Sequence, residues 1–136
     1  NPGGGELVYE MQDGEVEYGK GFNGETGILT EENKDAEEII STLMEYLLRE
    51  AELTSLDEIV VLVNGYGFTS TMEQCIIGKK VMEILSSQAV NIHHVVVDRL
   101  FSPSAQGCSI SVMKLDDELR HLYDMQAYSP LITCWK

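Results

Sequence analysis

Residues 59–70 read IVVLVNGYGFTS, and this stretch decides the fold. Its first five residues are all aliphatic and mostly β-branched, a pattern typical of a strand that is covered on both faces. Two glycines then open a loop, and Ser70 with Glu73 predicts a capping box at the start of a helix that runs through about Leu85. We therefore predict a buried central strand that leads through a glycine loop into a helix.

Upstream of this stretch the sequence predicts a hairpin and a helix. The runs Leu7–Met11 and Glu15–Gly19 flank an Asp-Gly pair, which favours a hairpin because both turn residues take positive φ. Asp35 suits a helix N-cap. After it, apolar residues recur at the spacing of an amphipathic helix: Ala36, Ile39, Ile40, Leu43, Met44, Leu47, Leu48 and Ala51.

Downstream of the second helix, residues 92–100 and 108–115 predict two further strands, the second with alternating apolar and polar residues. Residues 116–123 predict a short helix whose Leu119 and Leu122 face inward. The element order is therefore ββαβαββα. This order predicts an α/β fold of the mixed α+β kind, with a mixed sheet and helices in a single domain that spans residues 1–136.

The composition excludes several classes of partner. A chain of 136 residues with 43% hydrophobic content can form one core. The 23 acidic and 9 basic residues give a formal charge of −14, which disfavours nucleic acid and anionic membranes. No apolar run approaches the roughly 20 residues of a membrane span. The three cysteines lack CxxC spacing, so we expect reduced thiols in a cytoplasmic protein.

The histidines do not predict a metal site. His93 and His94 are neighbours on a predicted strand, so their side chains should point to opposite faces and could not hold one ion together. His121 lies in a helix with Asp117 and Asp124, a pattern typical of a solvated helix face. We expect no bound metal.

Two glycine loops remain as candidate binding sites. The loop Gly19–Gly27 contains Asn23-Gly24, a common turn dipeptide, but it also combines four glycines with the carboxylate of Glu25, which would let a ligand approach the backbone. The loop Asn64–Ser70 lies between a strand and a helix, where N–H groups favour an anion. It lacks the Walker lysine and the third Rossmann glycine, so a tight packing turn is the alternative.

Three stretches together resemble a known family. Residues 19–27, GKGFNGETG, are similar to a Gly-x-Gly-x-His-Gly-Glu-Pro-Gly loop; residues 62–69, LVNGYGFT, followed by Met72-Glu73, and residues 113–119, MKLDDEL, match in order and spacing. On these motifs the chain resembles the second half of the dihydroxyacetone-binding subunit of dihydroxyacetone kinase. The resemblance implies a half-protein of mixed α/β type, whose first half supplies most of the substrate pocket and an acid/base aspartate and histidine.

In that family the loop histidine adds to the ketone of dihydroxyacetone and forms a hemiaminal. Asn23 stands at the histidine position, and an amide nitrogen cannot serve as that nucleophile because its lone pair is delocalised. We therefore assign no catalytic residue and expect covalent capture to be lost. The resemblance implies substrate binding by Asn23, Gly24 and Glu25. It implies loop support by a second set of residues: Gly21, Gly27, Asn64, Gly65, Gly67 and Thr69.

The resemblance leaves three functions open. The first is a kinase substrate-binding subunit in glycerol metabolism that still binds dihydroxyacetone, while this half alone is inactive and binds no cofactor. A partner subunit would then supply ATP with Mg²⁺ or a phosphorylated carrier. The second is a non-catalytic sensor of the ketone that acts on a transcription regulator, and the third is a scaffold. We expect a homodimer in each case, with the missing N-terminal half as a further partner.

Overall fold

The computed structural model describes residues 11–21, 25–101 and 105–130, together with the backbone of residues 133–134. Within these segments the chain forms three helices and seven strands, in an order that agrees with the prediction from α1 to α3: β1 Glu15–Tyr18, β2 Leu29–Glu32, α1 Ala36–Ala51, β3 Glu58–Gly65, α2 Thr71–Ser87, β4 Asn91–Asp98, β5 Cys108–Leu115, α3 Asp117–Asp124, β6 Ala127–Tyr128 and β7 Thr133–Cys134. No helix in the described segments combines the length and apolar character that crossing a bilayer requires.

The central strand is β3, as the aliphatic run predicts. It lies between β4, to which it is parallel, and β5, to which it is antiparallel. The sheet is therefore mixed, and the predicted fold class is confirmed. The parallel pair is joined by α2, the crossover helix that a parallel connection requires.

The core lies between this sheet and two helices. Ile59, Val61 and Val63 alternate along β3 and are fully buried, and they pack with buried residues of α1 and α2, including Met44 and Leu85. Each fully buried aliphatic side chain stabilises the fold by roughly 1.5–3 kcal/mol. The residues that share the apolar face of the alternating β5 pattern, namely Cys108, Ile110 and Val112, pack against the same cluster.

Both predicted N-caps are present. The Asp35 carboxylate accepts a hydrogen bond from the Glu38 N–H at 2.9 Å. At α2 the Ser70 hydroxyl accepts from the Glu73 N–H, and the Glu73 carboxylate accepts from the Ser70 N–H. The capping box therefore fixes the point at which the chain leaves the β3 loop and begins α2.

The predicted N-terminal hairpin is only partly described, and its details differ. The predicted first strand, Leu7–Met11, lies almost entirely outside the described residues. The predicted second strand is observed as β1, but it pairs antiparallel with β2, which sequence analysis missed because its four residues, LTEE, are mostly polar. Gly14 has a φ of +83°, whereas Asp13 does not have positive φ, so the prediction that both turn residues take positive φ is wrong.

The predicted inward face of the last helix is also wrong. Leu119 is 40% exposed and Leu122 is 53% exposed, and none of the residues of α3 is buried. The helix contacts the sheet through polar side chains instead. The short β6–β7 ladder that follows α3 was not predicted, because two-residue strands have too few residues to show an alternating pattern.

Candidate functional site

The end of β3 is joined to the segment after β4 by one buried side chain. Asn64 is 2% exposed. Its Nδ2 donates to the Phe101 carbonyl at 2.7 Å and to the Ser109 hydroxyl at 3.4 Å, while its Oδ1 accepts from the N–H groups of Leu100 and Phe101, both at 2.9 Å. These four contacts use the amide's hydrogen-bonding capacity, so Asn64 holds a loop in place and has no capacity left for a ligand.

Thr69 makes a similar internal connection at the other end of the loop. Its hydroxyl donates to the Gly107 carbonyl at 2.6 Å and accepts from the Gly107 N–H at 2.9 Å. The Thr69 carbonyl accepts from the Arg99 guanidinium and from the Gln74 amide. Two of the predicted support residues of this loop, Asn64 and Thr69, therefore bind the segment between β4 and β5.

Several of the backbone N–H groups that an anion would use here already have partners. Three of them donate to carbonyl oxygens at 2.9–3.0 Å: Tyr66 to Gly107, Phe68 to Ala105, and Thr69 to Tyr66. The carboxylate of Glu73 also lies at the start of α2, where its hydrogen bonds from Ser70 lower its pKa and keep it charged. This negative charge opposes an incoming phosphate, so the geometry favours a packing turn over an anion site.

Gly65 is required by a close approach of α2. A Cβ built on Gly65 would lie 2.3 Å from the amide carbon and nitrogen of Gln74, which is itself 3% exposed. Gly67 is half-buried and does not have positive φ. The glycine at 65 therefore serves helix packing rather than turn conformation.

The other candidate loop, residues 19–27, is described only at its two ends. Asn23 and Gly24, two of the three predicted substrate-binding residues, lie outside the described residues. The third, Glu25, packs so closely on Gly21 that a Cβ at Gly21 would lie 2.0 Å from the Glu25 carboxylate oxygen. A Cβ at Gly27 would lie 2.5 Å from the Tyr18 carbonyl. A glycine is therefore needed at position 27, where backbone approaches, whereas at position 21 the close neighbour is the end of the Glu25 side chain.

Glu17 holds the two ends of this loop together, and sequence analysis missed it. Its carboxylate accepts from the Lys20 ammonium at 2.8 Å and from the Gly27 N–H at 2.7 Å. The Lys20 hydrogen bond, followed by the bond from Gly27, lowers the pKa of Glu17. The available sequence signal was an acidic residue just before a glycine-rich loop, with a lysine three residues later.

A cleft of about 370 Å³ lies beside this loop. Its walls include Gly19 and Ile28 of the loop region, Leu43 and Leu47 of α1, and Ile110 of β5. The exposed surface of these walls is largely apolar, and the polar groups that line the cleft belong to Tyr46, Arg49 and Glu50 of α1. The cleft lies between residues next to the 19–27 loop and the core, whereas Asn64 and Thr69 contact the segment between β4 and β5.

The two histidines come together, contrary to the prediction. The β3–β4 register shifts at this point, because Ile59 pairs with Ile92 and Val60 pairs with His94. As a result both imidazole rings contact the same tyrosine, Tyr123. Across residues 11–21, 25–101 and 105–130, no group of three or more His, Cys, Asp or Glu side chains could hold a metal ion.

The described cysteines do not form a reactive pair. Cys75 is exposed and Cys108 is half-buried, and both are free thiols. Burial raises the pKa of the Cys108 thiol to about 11, so at neutral pH it is not the thiolate that nucleophilic chemistry requires. Cys108 acts as a small apolar residue of the core.

We predict that Gly65→Ala destabilises the chain by about 1–3 kcal/mol, because the added methyl group overlaps the Gln74 side chain. The double variant Gly65→Ala with Gln74→Ala should lose less than the sum of the two single changes, since the shorter side chain removes the overlap. Urea unfolding of the four proteins measures this coupling. Additive losses would contradict the proposed contact.

We predict that Glu17→Gln lowers the free energy that holds the two loop ends together by about 1 kcal/mol at neutral pH, because glutamine cannot form the ion pair with Lys20. The folded-state pKa of Glu17 is lowered from 4.5, so its contribution is present above that value and is lost as the pH falls through the lowered pKa. Amide hydrogen exchange at Gly27 should therefore differ between the two proteins at neutral pH and converge in acid. Lys20→Met, which keeps the Gly27 bond, is the matched control. A difference that persists unchanged in acid would count against this role.

Comparison with known proteins places the chain in a family. It matches the Dak1 domain over residues 1–131. It is 38% identical over 127 residues to the dihydroxyacetone-binding subunit DhaK of PTS-dependent dihydroxyacetone kinase 2 from Listeria innocua, which is 93% of this chain and 38% of the relative. It is 35% identical over 111 residues to the corresponding subunit of kinase 1 from the same organism, which is 81% of this chain and 34% of the relative.

Solved structures show the same fold. A dihydroxyacetone kinase operon co-activator, Dha-DhaQ, aligns with a TM-score of 0.75 and 24% identity over 87% of this chain and 37% of its own. A structure described as regulation of the Dha operon of Lactococcus lactis aligns with a TM-score of 0.74 and 25% identity. The alignment covers 82% of this chain and 36% of that protein's chain. The chain thus spans well under half of each of these proteins. Because the family match extends over nearly its whole length, the chain belongs to the Dak1 domain family.

Proposed function

We propose that this chain contributes the second part of a protein that binds dihydroxyacetone, or a similarly short hydroxyketone, without forming a covalent bond to it. The observation that carries the proposal is Asn23, which stands at the position of the family's histidine in a loop that otherwise follows the family's pattern except at Thr26, where the family has proline. Family membership supports the ketone as ligand, since several of the similar relatives are named for binding or phosphorylating short ketones.

Non-covalent binding follows from the chemistry of the side chains. The amide of Asn23 can donate to a ketone oxygen and accept from a hydroxyl group, but its nitrogen is not nucleophilic. The Glu25 carboxylate can accept from a ligand hydroxyl. The absence of a side chain at Gly24 would leave the backbone open to the ligand. Glu17, which holds the loop ends, is a positioning residue for this site.

The remaining parts of the function come from outside this chain. We propose that the first half of the protein supplies most of the pocket together with the acid/base groups. In the kinase role, a second subunit would supply ATP with Mg²⁺ or a phosphorylated carrier, and this chain would hold no cofactor. A homodimer, a cytoplasmic location and a place in glycerol metabolism belong to the same proposal.

A sensor is the second candidate, and Asn23 also favours it. Loss of the nucleophile removes the chemical step that captures the ketone while leaving a loop that could still recognise it. Two of the similar solved structures are described by co-activation or regulation of a Dha operon. A sensor of this kind would bind the ketone and act on a transcription regulator. A scaffold role would require no ligand at all.

We predict that the full natural chain binds dihydroxyacetone but not glycerol, with no increase in protein mass. Isothermal titration measures the binding, and intact-protein mass spectrometry detects an adduct. Asn23→Ala should weaken binding, whereas Asn23→His should add the mass of one dihydroxyacetone because imidazole restores the nucleophile. If dihydroxyacetone produces no heat of binding and no shift in melting temperature, both the kinase and the sensor proposals are rejected, and the scaffold role is left.

We predict slow but measurable formation of dihydroxyacetone phosphate if the kinase proposal is correct. The assay combines the full natural chain, its nucleotide-binding or carrier subunit and the phosphoryl donor. Asn23→His is the matched comparison and should raise the rate. Ketone binding without any phosphorylated product from either protein would reject the kinase proposal in favour of the sensor.

A further inference from the structure

Two neighbouring histidines of β4 face α3 because the sheet is irregular at this point. Consecutive residues of β3 pair with Ile92 and His94, so His93 is an extra residue of the ladder, a β-bulge. Bulges redirect side chains. The rings of His93 and His94 both contact the ring of Tyr123 on α3, at centroid distances of 6.0 and 5.8 Å. The bulge therefore brings His93 to the side of the sheet on which α3 packs.

The ring of His93 lies between two carboxylates. Its Nε2 is 2.8 Å from the Asp124 Oδ1 on α3, and its Nδ1 is 3.4 Å from the Glu58 Oε1 on β3. The His93 side chain is only 13% exposed, so water and salt screen these contacts less than they would at an open surface. The helix is therefore joined to the sheet through this ring.

Only the protonated ring of His93 suits both carboxylates. A neutral imidazole has a single N–H, so it can donate to one carboxylate while the lone pair of its other nitrogen faces the second. An imidazolium has an N–H on each nitrogen and directs one at each carboxylate. Hydrogen bonds between charged groups are also stronger than those between neutral groups. We therefore expect α3 to be held more firmly when His93 carries a positive charge.

The charge balance of this contact leads to the same expectation. Arg120 of α3 brings a permanent cation, whose Nε is 3.5 Å from the Glu58 Oε2. With Glu58 and Asp124, the contact then combines two carboxylates with one guanidinium. A neutral His93 leaves a net negative charge between helix and sheet, whereas a protonated His93 balances it.

The nearest polar neighbours of this contact do not replace the charge of His93. The His94 Nδ1 is 2.6 Å from the Tyr123 hydroxyl, and His94 itself is exposed. The Asn91 amide donates to the Glu58 carboxylate at 3.3 Å, but it carries no charge. His93 is therefore the titratable group that lies between the two carboxylates.

Charged groups farther along the neighbouring elements are engaged elsewhere or lie at a distance. On β5, Lys114 lies 3.4 Å from the Asp57 carboxylate. On α3, Asp116 caps the start of the helix, and Asp117 lies about two turns before the Asp124 carboxylate. His121 is exposed on the same helix.

We propose that the docking of α3 on the sheet is a pH-dependent device, in which the protonated ring of His93 holds the helix and loss of that proton loosens it. Imidazole groups ordinarily change charge between about pH 5 and 8. The contribution of His93 is complete at the acid end of this range and is lost as the pH rises through it. The proposal does not depend on ketone binding, because none of these residues belongs to the loop at residues 19–27.

Amide hydrogen exchange of the full natural chain tests the proposal between about pH 5.5 and 8.5, where the carboxylates stay charged. Protection factors of residues 120–124 report the opening of α3, since they are corrected for the intrinsic pH dependence of exchange. Residues 79–85 of α2 serve as the internal reference. We expect α3 protection to fall about threefold to tenfold as the pH rises, because a neutral contact replaces a charge-assisted one, while α2 protection stays constant.

Three histidine variants identify the titrating group. His93→Gln keeps a polar side chain without a titrating charge, so α3 protection should become independent of pH. His121→Gln and His94→Gln are the matched controls, since His121 is exposed on the same helix and His94 contacts the tyrosine hydroxyl. Both controls should retain the pH response, although His94→Gln should lower α3 protection at every pH.

A pair of carboxylate variants separates charge from packing, because His93→Gln also changes the side chain under α3. Asp124→Asn keeps the shape and one accepting oxygen but removes the negative charge, so the pH response should largely disappear. Glu118→Gln removes the same charge from the opposite side of the helix and should leave the response unchanged.

Three results would overturn the proposal. One is equal α3 protection at both ends of the pH range in the full natural chain. Another is a pH response that persists in His93→Gln or in Asp124→Asn. The last is a response that disappears in His94→Gln, His121→Gln or Glu118→Gln, because the titrating contact would then lie elsewhere.

Discussion

The buried amide of Asn64 connects the end of the central strand to the segment that follows β4, and the arrangement of this end of the molecule depends on it. Without its four hydrogen bonds, two N–H groups and one carbonyl of residues 100–101 would lose their partners, each at a cost of roughly 1–3 kcal/mol if they stayed buried. Thr69 makes the second connection through Gly107. The sequence of residues 64–70 resembles an anion site, but together these contacts hold this glycine loop in a fixed position.

The contacts of the two glycine loops distinguish a structural role from a ligand-binding role, which the sequence alone could not do. The loop at residues 64–70 uses its N–H groups and its buried amide internally, and the Glu73 carboxylate lies at the adjacent helix start. The loop at residues 19–27 has a different construction, since Glu17 holds its ends while Glu25 packs on Gly21. By the resemblance of residues 19–27 to the family's loop, Asn23 corresponds to the family's histidine, and this position lies in the second loop. Altered chemistry in one loop is therefore compatible with an unchanged core.

The elements that the sequence predicts well are those whose signal is local. The aliphatic run gives β3, and the Ser70–Glu73 spacing gives the start of α2, because the residues that form these features are neighbours in the chain. Most of the failures involve partners distant in sequence. The polar strand β2 is stabilised by pairing with β1, the shifted β3–β4 register brings His93 and His94 to one tyrosine, and the leucines of α3 turn outward because polar contacts with the sheet fix the opposite face. The role of Glu17 also depends on a residue ten positions away.

The central claim is that the loop at residues 19–27 meets the ligand while the loop at residues 64–70 is structural. Amide chemical shifts recorded while dihydroxyacetone is added to the full natural chain test this claim directly, because they report on both loops in one experiment. The account predicts that the largest changes fall within residues 19–27 and that residues 64–70 are almost unaffected. Changes concentrated at residues 64–70, with residues 19–27 unaffected, would contradict it.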